Sequence, residues 1–259
     1  MKAVKLLCVN LVVFILSSCG TEHESKKLSD NNENGVNSAS AIVDSSYQFY
    51  GADVINEKSV TFDFRKHEYR YVHSDSGLVR QRILKESSDS VVSDVWYENE
   101  LQRFINGDPI ELTGKEEKAY KNSINSVFYF AFLPKNLKDP AVNLSYMDEV
   151  RLNGKLYHKI KVTFDQEGGG EDYQDVYLYW FDQKDYSMDY LAYSYITEGG
   201  GMRFRSFKNR RRIQGIAFQD YINYKPKSDD IGLEYTDQAF ERGNLTEVSR
   251  IELENVRVD

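Results

Sequence analysis

At 259 residues, 41% hydrophobic and 14% aromatic, the chain is long enough to bury a substantial core as one domain of the β-rich kind. Its formal net charge of −8 argues against a nucleic-acid partner, and the one basic run, Lys208 to Arg212 with Asn209 inside it, is too short to reverse that. Two cysteines, Cys8 and Cys19, both fall near the start, so disulfides, thiolate metal sites and cysteine nucleophiles are excluded from the part expected to fold; the four histidines show no ligand spacing, and no cofactor motif is present.

The first residues read as an address. Lys2 and Lys5 precede an apolar run from Leu6 to Leu16, and Leu16-Ser17-Ser18-Cys19 closes it, which resembles a bacterial lipoprotein signal over residues 1–18. Cys19 is then the expected lipidation site, and the membrane is the expected partner through it. Gly20 stands where an inner-membrane retention signal would place Asp, so the expected location is the outer membrane, on its periplasmic side rather than the cell surface. From Cys19 to about residue 36 the chain is polar and rich in Asn and Ser, a tether with a reach of about 20–25 Å. Residues 37–259 are expected to form the single domain.

An amphipathic helix is predicted from Ser38 to Tyr50, with Ala39, Ile42, Val43, Tyr47 and Tyr50 on one face. Strands follow at Val60–Arg65, Glu68–His73, Leu78–Lys85, Val91–Tyr97 and Leu101–Ile105, with turns at Ser74–Gly77 and Asn106–Pro109. A second helix is predicted from Glu116 to Phe132, its stripe being Tyr120, Ile124, Val127, Phe128 and Ala131, with Pro134 to end it. A helical turn over Lys138–Val142 then leads into strands at Tyr146–Leu152 and Leu156–Phe164, joined by Asn153-Gly154. The glycine-punctuated meander runs on to Tyr224. Within it Val176–Phe181 and Met188–Ile196 are apolar on both faces, as strands covered on both sides are. A helical turn at Glu234–Arg242 and one final strand, Thr246–Val258, complete the chain.

This order, with FDFR (62–65), NSVFYF (125–130) and its LP (133–134), KDPAV (138–142), VTFDQEGGGEDYQD (162–175), YWF (179–181), DYLAY (189–193), GGGMRFR (199–205), NRR (209–211) and NY (223–224), resembles a family of Gram-negative outer-membrane lipoproteins of unknown function. The resemblance implies a mainly β fold with a few helices: a curved antiparallel half-barrel of about eleven strands, like that of the lipoprotein carriers, wrapped over helices. It implies no catalytic residues. The aldolase activity sometimes ascribed to members needs a lysine of depressed pKa at the end of a strand in an alternating β/α barrel, which this chain does not encode.

Three constellations bear on chemistry. Asp165, Glu167, Glu171, Asp172 and Asp175 surround Gly168–Gly170 and offer carboxylates to a metal, though not in the spacing of a standard calcium loop. Arg80 with Arg82, and Arg203 with Arg205, lie two apart on strands and so share a face, where each pair is able to clamp an anionic group. Trp96, Tyr97, Tyr129, Phe130, Tyr190 and Tyr193 are the aromatic candidates for a pocket wall. The leading expectation is a lipid-anchored module that binds a lipid or other hydrophobic or amphipathic small molecule in the half-barrel. An envelope protein-interaction subunit and an unrecognised hydrolase or lyase stay open beside it.

Overall fold

The computed structural model describes residues 39–75, 77–87, 90–196 and 199–259. The expected leader, Cys19, the tether, Ser38 and one residue of the Ser74–Gly77 turn lie outside them. Helix α1 covers residues 39–50 and buries Ala39, Ile42, Val43 and Tyr50, while Tyr47 is half-buried. Five strands come next: β1 (Val60–Phe64), β2 (His67–Ser74), β3 (Gly77–Ser87), β4 (Ser90–Tyr97) and β5 (Glu100–Ile105). Val60, Phe62 and Phe64 point inward and the residues between them outward, the alternation of a sheet with one wet side. A short strand missed by sequence reasoning, β6 (Asp108–Ile110), follows the left-handed pair Asn106-Gly107. It contains Pro109, which is tolerated because β6 is the edge strand.

Helix α2 (Gly114–Ala131) starts two residues earlier than predicted because Thr113 caps it. The Thr113 hydroxyl accepts from the Glu116 N–H, and the Glu116 carboxylate accepts from the Thr113 N–H at 2.9 Å, a reciprocal capping box. The helical turn expected over Lys138–Val142 sits earlier, at Lys135–Lys138, because Asp139 precedes Pro140 and is held extended at ψ 144°. Strands β7 (Val142–Leu152), β8 (Lys155–Phe164), β9 (Val176–Asp182), β10 (Met188–Tyr195), β11 (Gly201–Ile213) and β12 (Ile216–Pro226) form the long meander. Helix α3 (Thr236–Glu241) then leads to β13 (Leu245–Ile251) and β14 (Glu254–Val258).

These strands make two seven-stranded antiparallel sheets, ordered β14-β1-β2-β3-β4-β5-β6 and β13-β12-β11-β10-β9-β8-β7. Together they form the half-barrel, wrapped over α1 and α2, with more strands than the eleven or so expected. One core cluster joins α1, α2, β1 and β2 to the inner face of β8–β10. A second lies on the outer face of the second sheet, where Trp180, Tyr190 and Phe204 pack against Ala239 and Phe240 of α3. Strands β9 and β10 are thus covered on both sides, as their apolar runs require.

The predicted last strand is two strands in two sheets. Leu253, in the break, is buried; its N–H donates to Asp220 Oδ1 at 3.0 Å, and its carbonyl accepts from the Arg211 guanidinium. Arg211 in turn pairs with Asp220 at 3.1 Å. A bulge in β11 between Lys208 and Arg211, with Asn209 left-handed at φ 49°, aims these side chains. Two arginines of the basic run are thereby taken up by the fold: Arg211 holds the break, and Arg210 pairs with buried Asp189 at 2.7 Å.

Candidate functional site

The Phe-rich end of α2 spends most of its surface on packing. Phe128 meets Phe62, Tyr69 and Tyr71 of the first sheet, with ring centroids 5.5–5.9 Å apart. Tyr129 turns to the second sheet, its hydroxyl 3.5 Å from that of Tyr179 and its ring 6.2 Å from Tyr177. Burial pushes the Tyr129 hydroxyl up to about 12, so it stays protonated and available as a donor.

Beyond this packed stretch a cavity of about 320 Å³ opens between β3, the end of α2 and the β8–β9 connection. Phe128, Tyr129, Phe132 and Phe164 form its apolar wall, and Arg80, Lys135 and Asp139 are the charged side chains on it. Arg80 projects from β3 with its guanidinium 4.6 Å from the Trp96 ring and 5.7 Å from the Tyr71 ring. Trp96 stands directly across from it on β4. Lys135 comes from the turn after α2. Among the described residues neither Arg80 nor Lys135 has a carboxylate within ion-pair distance. Burial lowers the Lys135 pKa, opposed by the charge of Asp139 and reinforced by Arg80. The Asp139 carboxyl is raised by desolvation, with Lys135 pulling it back.

Gly168–Gly170 makes the rim. Asp165 donates its N–H to the Ala141 carbonyl at 2.8 Å and so ties the rim to the start of β7. A Cβ on Gly169 would stand 2.1 Å from the Asp165 carbonyl oxygen and 2.9 Å from Tyr173 Cβ, so no other residue fits there without moving backbone. A second, more open hollow of about 550 Å³ lies beside it, bounded by Asp139, Pro140, Asp165 and Glu167.

Of the residues singled out from sequence, Arg80 and Tyr129 reach the cavity, and Trp96 backs Arg80 while donating its indole N–H to the Glu98 carbonyl at 2.9 Å. Arg82 does not join Arg80. It is drawn into a buried ion pair with Asp94 at 2.5 Å, and Arg103 holds the other carboxylate oxygen at 2.6 Å. Phe130 packs edge-on to Phe64 and lies under Arg205, 5.6 Å away. Arg205 also reaches the Tyr193 hydroxyl at 3.1 Å, and among the described residues its buried Nε has no hydrogen-bond partner. Its cross-strand neighbour Asn223 has an unpartnered Oδ1 as well. Arg203 turns back to the Met202 carbonyl at 2.8 Å and covers the Tyr195 ring. Tyr190 sits on the opposite face of the sheet from Tyr129, in the outer cluster, where Asn153 donates to its hydroxyl at 3.1 Å.

The acidic residues disperse. Asp165 accepts from Asn143 at 2.8 Å; Glu171 accepts from Asn122 at 2.8 Å and pairs with Lys118. Asp172 stands near Asp175, whose carboxyl is buried and pushed up to about 6 by that burial and by the Asp172 charge. Among the described residues no three of His, Cys, Asp and Glu converge as a metal set. Sequence reasoning missed Lys135 and Asp139, the charged residues that flank the turn after the Phe-rich helix; that turn is the available signal.

No helix among the described residues is long and apolar enough to cross a membrane. No curated protein matches the sequence. Among solved structures the chain is similar to a DUF1329 family protein from Desulfovibrio piger (10% identity, 85% of this chain and 93% of that one, TM-score 0.46). It is also similar to a putative outer membrane lipoprotein-sorting protein domain from Vibrio parahaemolyticus (8%, 88% and 93%, TM-score 0.42) and to a LolA superfamily protein from Nitrosomonas europaea (11%, 85% and 92%, TM-score 0.39). Residues 27–253 match DUF6503, a family of unknown function, and the chain belongs to that family.

Proposed function

We propose that this protein is an envelope lipoprotein, held through lipidated Cys19 on the periplasmic side of the outer membrane, whose half-barrel binds a hydrophobic or amphipathic small molecule. The observation that carries this reading is the cavity at the end of α2. Its volume of about 320 Å³ lies at the small end of ligand sites, and its lining brings the edges of aromatic side chains together with charged and amide groups that make up the larger part of its exposed surface, a composition suited to a polar head group with a short apolar part. Residues of α1 and α2 pack into the core between the sheets, and the cavity lies where the Phe-rich helix ends. Trp96 and Tyr129 belong to the same neighbourhood, and the apolar part of the ligand is assigned to the Phe128–Phe132 face.

The test is mass spectrometry of organic extracts from the purified protein, together with thermal unfolding in the presence of a panel of short amphiphiles. A co-purifying amphiphile, or one that raises the melting temperature in proportion to the logarithm of its concentration, is the expected result. Clean extracts with no stabilisation by any member of the panel would remove the ligand reading and leave an interaction subunit as the alternative.

A further inference from the structure

Two cations face the cavity without an ion-pair partner among the described residues, and a single carboxylate shares the wall with them. A cation taken out of water needs a compensating negative charge or a full set of hydrogen bonds. Arg80 obtains part of that from the Trp96 and Tyr71 rings and from a hydrogen bond to the Tyr71 hydroxyl, and the remaining N–H donors of its five are available to a ligand. Among the described residues Lys135 has the longer-range charge of Asp139 in place of an ion pair. The wall therefore carries one net positive charge beside an aromatic surface.

We propose that this cavity is an anion site, seating the head group of a singly charged amphiphile of the carboxylate class between Arg80 and Lys135, with Asp139 as the resident counter-charge. The inference rests on the ligand-binding reading and adds the sign, the size and the seat of the head group. Of the four arginines that the sequence puts forward for this role, Arg80 is the one on the cavity wall; Arg82 is committed to Asp94. A volume of about 320 Å³, at the small end of ligand sites, suits a short amphiphile better than a whole phospholipid. The apolar chain lies against Phe128, Phe132 and Phe164, and Asn125 and Asn136 add amide donors at the wall.

The experiment uses the full chain in nanodiscs of zwitterionic lipid and titrates octanoate, octanol, octylammonium and octyl phosphate by calorimetry. Octanoate is expected to bind at least about tenfold more tightly than octanol, with octylammonium weakest, since a hydrogen bond between charged partners is stronger than one to a neutral hydroxyl. Arg80→Gln and Lys135→Gln should each remove that preference, lowering octanoate affinity toward that of octanol without lowering the melting temperature. Asp139→Asn, which takes away the counter-charge, should shift the preference toward the more highly charged octyl phosphate, and this arm stands even where a cation variant folds poorly. Equal binding of octanoate and octanol, or an Asp139→Asn protein with unaltered preference, would overturn the anion site while keeping the ligand reading. Failure of all probes, octanol included, would remove the ligand reading itself and the anion site with it.

Discussion

Asp94 is 2% exposed and carries two guanidiniums, Arg82 at 2.5 Å and Arg103 at 2.6 Å. Burial alone would raise its carboxyl, but the bonds from Arg103 and Arg82 outweigh it and hold the pKa below the usual range. Replacing Asp94 with Ala leaves Arg82 buried without an acid, and the expected loss is about 3–5 kcal/mol of unfolding free energy, read by urea denaturation at neutral pH. Arg80 and Arg82 are indistinguishable in sequence, since both obey the same alternation on β3. What separates them is the register with β4, which sets Arg80 opposite Trp96 and Arg82 opposite Asp94. Register depends on a turn that the sequence pattern leaves unspecified, so the pair is legible and its division of labour is not. Asp175 supplies a pH-dependent counterpart. Its folded pKa is raised from 3.8 to about 6, so between those values the folded state holds more protons than the unfolded one, and stability falls as pH rises through that window. Asp175→Asn should flatten this slope and stabilise the protein at pH 7, by at most about 3 kcal/mol, in melts compared at pH 4 and pH 7.

At the level of elements, α2 and the β8–β9 connection place the cavity. Helix α2 has no basic residue in its last turn, and its start is defined by the Thr113–Glu116 box. Thr113→Ala is expected to cost about 1 kcal/mol, measured by chemical denaturation. The apolar stripe of this helix is legible because period-3.6 spacing survives any tertiary context; the cap is harder to see because Gly114 and Lys115 are weak markers of a first turn. The glycine triplet reads as a turn, yet spacing does not show that its middle member lies against backbone. Gly169→Ala forces the rim to shift and should lower the melting temperature well beyond Gly107→Ala. At Gly107 the added methyl meets nothing within 4 Å, and the cost is the left-handed conformation alone, roughly 1 kcal/mol. Because the rim closes the cavity, Gly169→Ala should also weaken probe binding, and Gly107→Ala should not.

For the molecule as a whole, the strand alternation, the helical stretches and the antiparallel succession of hairpins are readable from periodicity and turn residues, whereas the half-barrel is what the family resemblance implies. The division of the strands into two sheets is not. Ile251 and Leu253 keep the inward alternation straight through the break between β13 and β14, so no local pattern marks it. The break is held by Asp220 and Arg211 from far upstream, which substitute side-chain bonds for a strand neighbour at Leu253. Asp220→Ala removes the acceptor of a buried N–H and the partner of Arg211 together. It should destabilise the fold by about 2–4 kcal/mol, with amide exchange at Leu253 and in β14 accelerated more than in β9. Strand β14 lies beside β1, and Ser59 and Asp259 exchange both backbone hydrogen bonds at 2.9 and 3.1 Å. Time enters here. A chain that emerges from its N-terminus makes β1 early and its outer neighbour only after every other strand, with the loop-closure entropy of nearly the whole domain still to be overcome. Until then β1 presents an open row of N–H and C=O groups to any passing strand, so the interval before β14 docks is when the protein is most exposed to misassembly.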